Sequence, residues 1–358
     1  MGLEVTEERT WSRDESALFT NPLFDNFAHF SPHSTVSTIV SIAKLRRDGE
    51  LIGVAPLTRI LKYRGTRLLE HHSRRWMDPL IGPFSHNNLC MIDASFMGFR
   101  HADPFITRDS TSALDIREAV FTYLKGCPDV DSVMISEPAG DPAWLHKAGF
   151  CTFLQLPLVR IDVEGCRTFD DYLTGIGRKR RHHLRQERKR FVEAGARVEV
   201  LEPPIDEGIA RELHSYLLAS SRRNDDGLEV PYKDVMNSEQ AFLTQHQWVI
   251  VARLGDGIAG FFSFIPHDGV IAQCHGGFNY ELSLPINAYH NLIHAAVEYA
   301  IELGCREVTL GPLNNEAKRR MGTLKPVMSG IWCRNTVSRL LMNNVLVKRF
   351  QIYQGEVA

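Results

Sequence analysis

The stretch that most constrains the fold of this chain is residues 248–278. Three apolar, β-branched runs, WVIVARL (248–254), IAGFFSFIP (258–266) and VIAQCHGGF (270–278), are separated there by Asp256-Gly257 and Asp268-Gly269. Asp-Gly pairs supply the positive backbone angles of tight hairpin turns, so the pattern predicts three consecutive antiparallel strands. Such a meander has an apolar face that must be covered. The next stretch supplies a cover: in INAYHNLIHAAVEYAIELG (286–304), Tyr289, Leu292, Ile293, Ala296, Val297, Ala300 and Ile301 recur at helical spacing, and Gly304 closes the run. A strand at 307–312, a short helix over NNEAKRRMG, a last strand around 330–337 and a basic amphipathic helix over 338–353 complete this half.

Upstream, the segment to about Ser34 carries Pro22, Leu23, Phe24, Phe27 and Phe30 and reads as a short amphipathic piece. Residues 34–61 are two β-branched runs joined by Asp48-Gly49, a second hairpin signal. Helix-type spacing over 111–124, a strand at 130–138, a short helix at 141–150 and a strand at 154–163 follow. Thr168 and Asp171 form a capping-box pattern, and no proline intervenes before Val198, so one helix is expected from about Phe169 to Ala194. A strand at 196–203 and a helix around 209–221 lead into SSRRNDDGLEVP (220–231), a polar segment in which Arg222, Arg223, Asp225 and Asp226 read as exposed.

The helix expected at 169–194 contains GRKRRHHLRQERKRF (177–191), eight Arg and Lys residues against one Glu in a protein of formal net charge −2. Cations clustered along a cleft attract anionic ligands, whereas on a solvated face they say little. On a 3.6-residue period Leu173, Ile176, Arg180, Leu184, Glu187 and Phe191 share a stripe. Arg180 is therefore the cation expected to turn inward. Arg181, Arg185, Arg188 and Lys189 are left to meet a polyanion from outside.

Length points to two domains, and 44% hydrophobic and 23% charged residues are ordinary for a globular chain. The longest apolar runs are far below the roughly 20 residues of a membrane-spanning helix, and no basic-then-apolar leader opens the sequence, so a cytoplasmic location is expected. The seven cysteines lack any C-x-x-C pair, which indicates neither a disulfide framework nor a zinc knuckle.

Meander, helix, strand, helix and final strand are the element order of GNAT acyltransferases, which residues 165–337 resemble. A basic helix opening the unit, a G-G-F-N end to the third strand, a helix ending E-L-G, and L-G-P followed by Lys318 and Gly322 narrow the resemblance. They point to the branch allied to the Fem family of aminoacyl-tRNA-dependent transferases. That branch joins two GNAT-like units in tandem, and GELIGVAPL and WMDPLIGPF are consistent with a degenerate first copy. The resemblance implies an α/β (α+β) fold of two such units, each a mixed, mainly antiparallel sheet flanked by helices, over residues 1–164 and 165–358. CoA-using GNAT enzymes carry a Q/R-x-x-G-x-G/A loop that presents backbone N–H groups to the pyrophosphate. Here that interval reads NYELSLPINAYH (279–290), without glycine. The resemblance thus implies an aminoacyl-tRNA donor and no bound cofactor, an acyl-CoA donor being the alternative and a non-catalytic RNA-binding protein a second one.

Amide formation needs a neutral amine, donors for the oxyanion and an exit for the amine proton. His275, at the end of the third meander strand, is the candidate base, or else a satisfied core histidine. Lys318 falls where Fem-like sequences place a lysine that contacts the reacting carbonyl or donor phosphates; the alternative is a surface lysine beside Arg319 and Arg320. Asn279, Tyr289 and His290 border the altered loop as substrate-binding candidates, although Tyr289 also fits the buried stripe. Trp76 and Asp78, in a loop at 68–84 with His71, His72, Arg74 and Arg75, are candidates for the acceptor site. His290, His294 and Glu298 stand at i, i+4 and i+8, a spacing that suits metal ligands, but without further ligands the expectation is a solvated face and no metal.

Overall fold

The computed structural model describes residues 3–10, 15, 38–64, 86–92, 104–108, 113–137, 142–223, 246–311 and 318–342. In its first half lie β1 (Leu3–Glu8), β2 (Thr38–Arg47), β3 (Glu50–Arg64), β4 (His86–Ile92), β5 (Ile106–Thr107), α1 (Ala113–Gly126), β6 (Ser132–Glu137), α2 (Pro142–Lys147) and β7 (Cys151–Asp162). There follow α3 (Phe169–Thr174), α4 (Arg178–Glu193), β8 (Ala196–Leu201), α5 (Glu207–Arg223), β9 (Trp248–Leu254), β10 (Gly257–His267) and β11 (Val270–Phe278). The last elements are α6 (Tyr280–Ser283), α7 (Ala288–Glu302), β12 (Glu307–Leu310), β13 (Thr323–Cys333) and α8 (Thr336–Met342). No described helix is long and apolar enough to cross a membrane.

The chain divides into two compact units. Residues 1–156, 225–236 and 326–358 form one, and residues 157–224 and 237–325 the other. In the first, β1, β2, β3 and β4 pair antiparallel in sequence order, β4 pairs parallel with β6, and β6 pairs antiparallel with β13 through Met328 to Cys333. Asp48 (φ 52°) and Gly49 (φ 85°) make the β2–β3 turn, the positive-angle geometry that the Asp-Gly pair predicts. Ile116, Val120 and Leu124 of α1 bury their stripe against Leu45, Ala55, Leu57, Val133 and Ile135, with Trp144, Phe150 and Trp332 closing the cluster.

The second unit repeats the same sequence of pairings. Strands β8, β9, β10 and β11 are antiparallel neighbours, β11 pairs parallel with β12, and β12 pairs antiparallel with β7 through Val159 to Asp162. A parallel pair needs a crossover, and α7 provides it. Its Leu292, Ile293, Ala296, Val297 and Ala300 are buried with Phe262, Phe264, Ile271, Val308 and Leu310 of the sheet and with Leu184 and Phe191 of α4. Each sheet thus takes its last strand from the other half of the sequence. This division and the sequence-level cut at 164/165 differ in where residues 157–164, 225–236 and 326–358 go.

Residues 3–8 form a strand paired with β2, while Pro22, Leu23, Phe24, Phe27 and Phe30 of the expected amphipathic piece lie outside the described residues. Three local readings change. The β9–β10 turn sits at Gly255-Asp256, one residue early, since Gly255 takes the positive angle (φ 59°). The last strand begins at Thr323 rather than near 330. The long helix expected over 169–194 is two. Thr168 caps α3 with the expected capping box, its Oγ accepting from the Asp171 N–H (3.1 Å) while the Asp171 carboxylate accepts from the Thr168 N–H (2.8 Å). Gly175 and Gly177 then end it, each costing about 1 kcal/mol within a helix.

Candidate active site in the second unit

The parallel strands β11 and β12 keep register only from Val270/Glu307 to Ala272/Thr309. Beyond that point β11 continues along β10 with a bulge: His275 lies opposite Ser263 and Gln273 opposite Phe264, so Cys274 is the extra residue. β12 stops at Leu310. The two strands therefore part at their carboxyl ends.

Three groups meet at that opening. The Gly311 N–H donates to Gln273 Oε1 (3.2 Å), and Lys318 Nζ donates to the Gly311 carbonyl (2.6 Å). A Cβ placed on Gly311 would lie 4.0 Å from both Gln273 Oε1 and Lys318 Nζ, so the two side chains flank the same side of this glycine. Lys318 is 4% exposed, which disposes of the surface-lysine alternative. Its position is fixed from below. The Lys318 carbonyl accepts from the N–H groups of Met321 (2.9 Å) and Gly322 (3.2 Å), Tyr172 OH donates to the Met321 carbonyl (2.5 Å), and a Cβ on Gly322 would collide with the Arg160 carbonyl oxygen. Gln273 escaped the sequence reading. Its signal was a lone amide in an otherwise apolar run.

His275 is 8% exposed and built into the sheet. Its backbone N–H donates to Ser263 Oγ (3.0 Å), and its Nδ1 faces Gln247 Nε2 (3.2 Å) and Ser263 Oγ (3.4 Å). The Gln247 amide nitrogen can only donate, so Nδ1 accepts and the ring proton resides on Nε2. Gly277, two residues on, lets α5 approach closely: a Cβ there would lie 2.6 Å from Leu217 N and Tyr216 C.

At the start of α7, Asn279 caps the short helix α6 by accepting from the Glu281 N–H (3.2 Å). Asn287 enters α7 at φ 51° and its Oδ1 lies 2.8 Å from His290 Nδ1. Tyr289 stacks among Phe262, Phe278 and His290, in agreement with its place on the buried stripe. The solvated face expected for His290, His294 and Glu298 is not what forms. α4 and α3 cover it: His294 is 2% exposed against the Phe169 ring (5.5 Å between centroids), and Glu298 pairs with Arg188. Burial lowers the His294 pKa to about 3, with His290 and Arg188 adding to the effect. Burial also lowers that of His290, opposed by Glu187 and reinforced by Arg320. Among the described residues no group of three or more His, Cys, Asp or Glu could hold a metal ion.

On α4, Leu184 and Phe191 are the buried residues. Arg180 is exposed, contrary to the inward position expected for it. The break at 175–177 puts it in the first turn of a new helix, ahead of the packed face. Arg185 pairs with Asp170 (2.9 Å), Arg188 with Glu298 and over the Phe169 ring (5.5 Å), and Lys189 with Glu193 (3.6 Å). Arg181 is half-buried, while Arg178, Lys179 and Arg190 are exposed. The helix thus presents a cationic outer face, part of it held by carboxylates. Trp76 and Asp78 lie outside the described residues, as do 312–317, which include the first four residues of the short helix expected over 314–322.

Two units of mixed strand pairing with flanking helices, each with an antiparallel meander feeding a parallel pair, define a GNAT-like α/β fold. Residues 178–319, from the first residue of α4 to just past Lys318, match the family described as acetyltransferase (GNAT) domain. No curated protein matches the chain. Among solved structures, L-PGS from Bacillus licheniformis superposes with a TM-score of 0.58 at 13% identity, over 96% of this chain and 98% of that one. FemX gives a TM-score of 0.55 at 10% identity, over 94% and 100%. The C-terminal domain of a putative lysylphosphatidylglycerol synthetase from Agrobacterium fabrum gives 0.52 at 14%, over 89% and 90%. At such identities the likeness is one of fold.

Proposed function

We propose that this protein is an N-acyltransferase that moves an aminoacyl group from aminoacyl-tRNA to an amine of a small molecule or a cell-wall precursor. The observation that carries the reading is the buried Lys318 ammonium beside Gln273 at the parting of β11 and β12. Attack of an amine on an acyl ester builds negative charge on the carbonyl oxygen. Fixed donors in a site shielded from water stabilise that charge far better than water does. His275, with its proton on Nε2, enters such a site as a donor rather than as the resting base.

The choice of donor molecule rests on the cationic outer face of α4 and on the glycine-free residues 279–290, which fold as α6 and a turn where a pyrophosphate loop would run. FemX and a putative lysylphosphatidylglycerol synthetase share this fold, which favours the same reading. A second reading, acyl-CoA as donor, is favoured by the acetyltransferase family match over 178–319. Mass spectrometry of the purified protein incubated with total charged tRNA, acyl-CoAs and a panel of amines separates them. The expected product is an aminoacyl amide that disappears on ribonuclease treatment. A product formed from acyl-CoA alone would transfer the assignment to the second reading, and tight RNA binding without any product would mark a non-catalytic RNA-binding protein.

A further inference from the structure

We propose that β8 is an interaction surface for a second copy of this chain, the two β8 strands pairing antiparallel about a two-fold axis at Val198. The inference is independent of the acyl-transfer reading above. Among the described residues β8 pairs with β9 alone, from Ala196/Leu254 to Leu201/Val249, without a bulge. The backbone N–H and C=O groups on its other side are open to a further strand. Edges closed to association carry a proline, a bulge or a lysine, and the β8 sequence ARVEVL has none of these.

The side chains supply an apolar reason for pairing. Ala196, Val198 and Val200 share one face of the strand, opposite Leu254, Ala252 and Ile250 of β9. That face is the one buried beneath α4 and α7, where Ala196, Ile250 and Ala252 join Leu184, Phe191 and Leu292 in one cluster. Val198 and Val200 nevertheless stay 38% exposed. The helical cover stops short of the sheet edge, and a second apolar strand would continue it.

Charge selects the partner. Arg197 stands directly opposite Arg253, while Glu199 pairs with Arg253 and leaves Arg197 exposed, donating only to the Gly255 carbonyl. Like charges directly opposite one another destabilise a strand pair, and opposite charges stabilise it. With Val198 opposite Val198 of a second copy, Arg197 falls opposite Glu199 of that copy, twice by symmetry, and Ala196 falls opposite Val200. Centred on residue 197 or 199 instead, the same pairing sets like charges face to face. One six-residue ladder is small beside the roughly 1,200–2,000 Å² of a stable interface, so the dimer should dissociate on dilution.

Sedimentation velocity on the full chain, from low to several hundred micromolar, should show a monomer–dimer equilibrium. Arg197→Glu and Glu199→Arg should each weaken it tenfold or more, and an equal mixture of the two proteins should recover the dimer. Residues directly opposite in an antiparallel pair have Cα atoms about 4.5–5.5 Å apart, within disulfide reach, so oxidised Val198→Cys protein should run as a crosslinked dimer on a non-reducing gel. Val200→Cys, about 14 Å from its own counterpart, should run like the parent. A monomer throughout, a dimer indifferent to both charge variants, a mixture that stays monomeric, or equal crosslinking at 198 and 200 overturns the proposal. Should a charge variant fail to fold, the crosslinking contrast between 198 and 200 decides alone.

Discussion

Lys318 and His294 are both cationic side chains in type and both buried in fact, yet their surroundings give them opposite roles. Lys318 donates to the Gly311 carbonyl, which sets its Nζ–H groups beside the proposed oxyanion, so Lys318→Met should lower kcat/KM for amide formation by about 10²-fold or more while leaving RNA binding intact. A drop below threefold would exclude it from the reaction. His294 is held neutral by burial, with a pKa of about 3 in the fold against 6.5 ordinarily. The unfolded chain therefore binds this proton first as pH falls. Stability is lost between pH 6.5 and about 3, by up to ~1.4 kcal/mol per pH unit, and His290 contributes with the same sign. The urea midpoint of the parent should fall more steeply toward acid across that window than that of His294→Leu, and parallel curves would contradict the burial argument.

Between elements, two close approaches set the geometry around the opening. Gly277 lies against the backbone of α5, so Gly277→Ala drives a Cβ into Leu217 N and Tyr216 C. The expected destabilisation is about 1–3 kcal/mol, the usual range for overpacking, readable as a lower thermal midpoint. An unchanged midpoint would mean that α5 yields freely. On α4 the cations divide by what holds them. Arg188 joins α4 to α7 through Glu298 and covers Phe169, so Arg188→Ala should loosen that seam, whereas Arg185→Gln disrupts an exposed pair with Asp170 and should cost well under 1 kcal/mol. If the outer face binds tRNA, replacing Arg181 and Lys189 with Gln should lower the slope of log K against log salt by roughly 0.7–0.9 for each phosphate no longer neutralised. A slope that does not move would place the RNA elsewhere.

At the scale of the molecule, the exchange of last strands has a direct consequence. Residues 178–319 hold the whole stretch that matches the acetyltransferase family, but Val327, Ile331 and Trp332 belong to strand β13, which pairs with β6. A chain ending at 325 should therefore lose amide-hydrogen protection in β6 of the first unit, as hydrogen exchange would register; full protection would show that β13 is dispensable there. What could be read from the sequence alone was whatever a short window encodes: the hairpin turn at Asp48-Gly49, the three-stranded meander, the Thr168 capping box and the apolar stripe of α7. Periodicity and turn chemistry act over a few residues and leave a local imprint. The strand exchange, the meeting of Gln273 and Lys318 at Gly311, the exposure of Arg180 and the burial of His294 were decided only by the tertiary structure. Each depends on partners far apart in the chain, brought together because the sheets and helices must bury their apolar faces against one another, and no local pattern records which partner that will be.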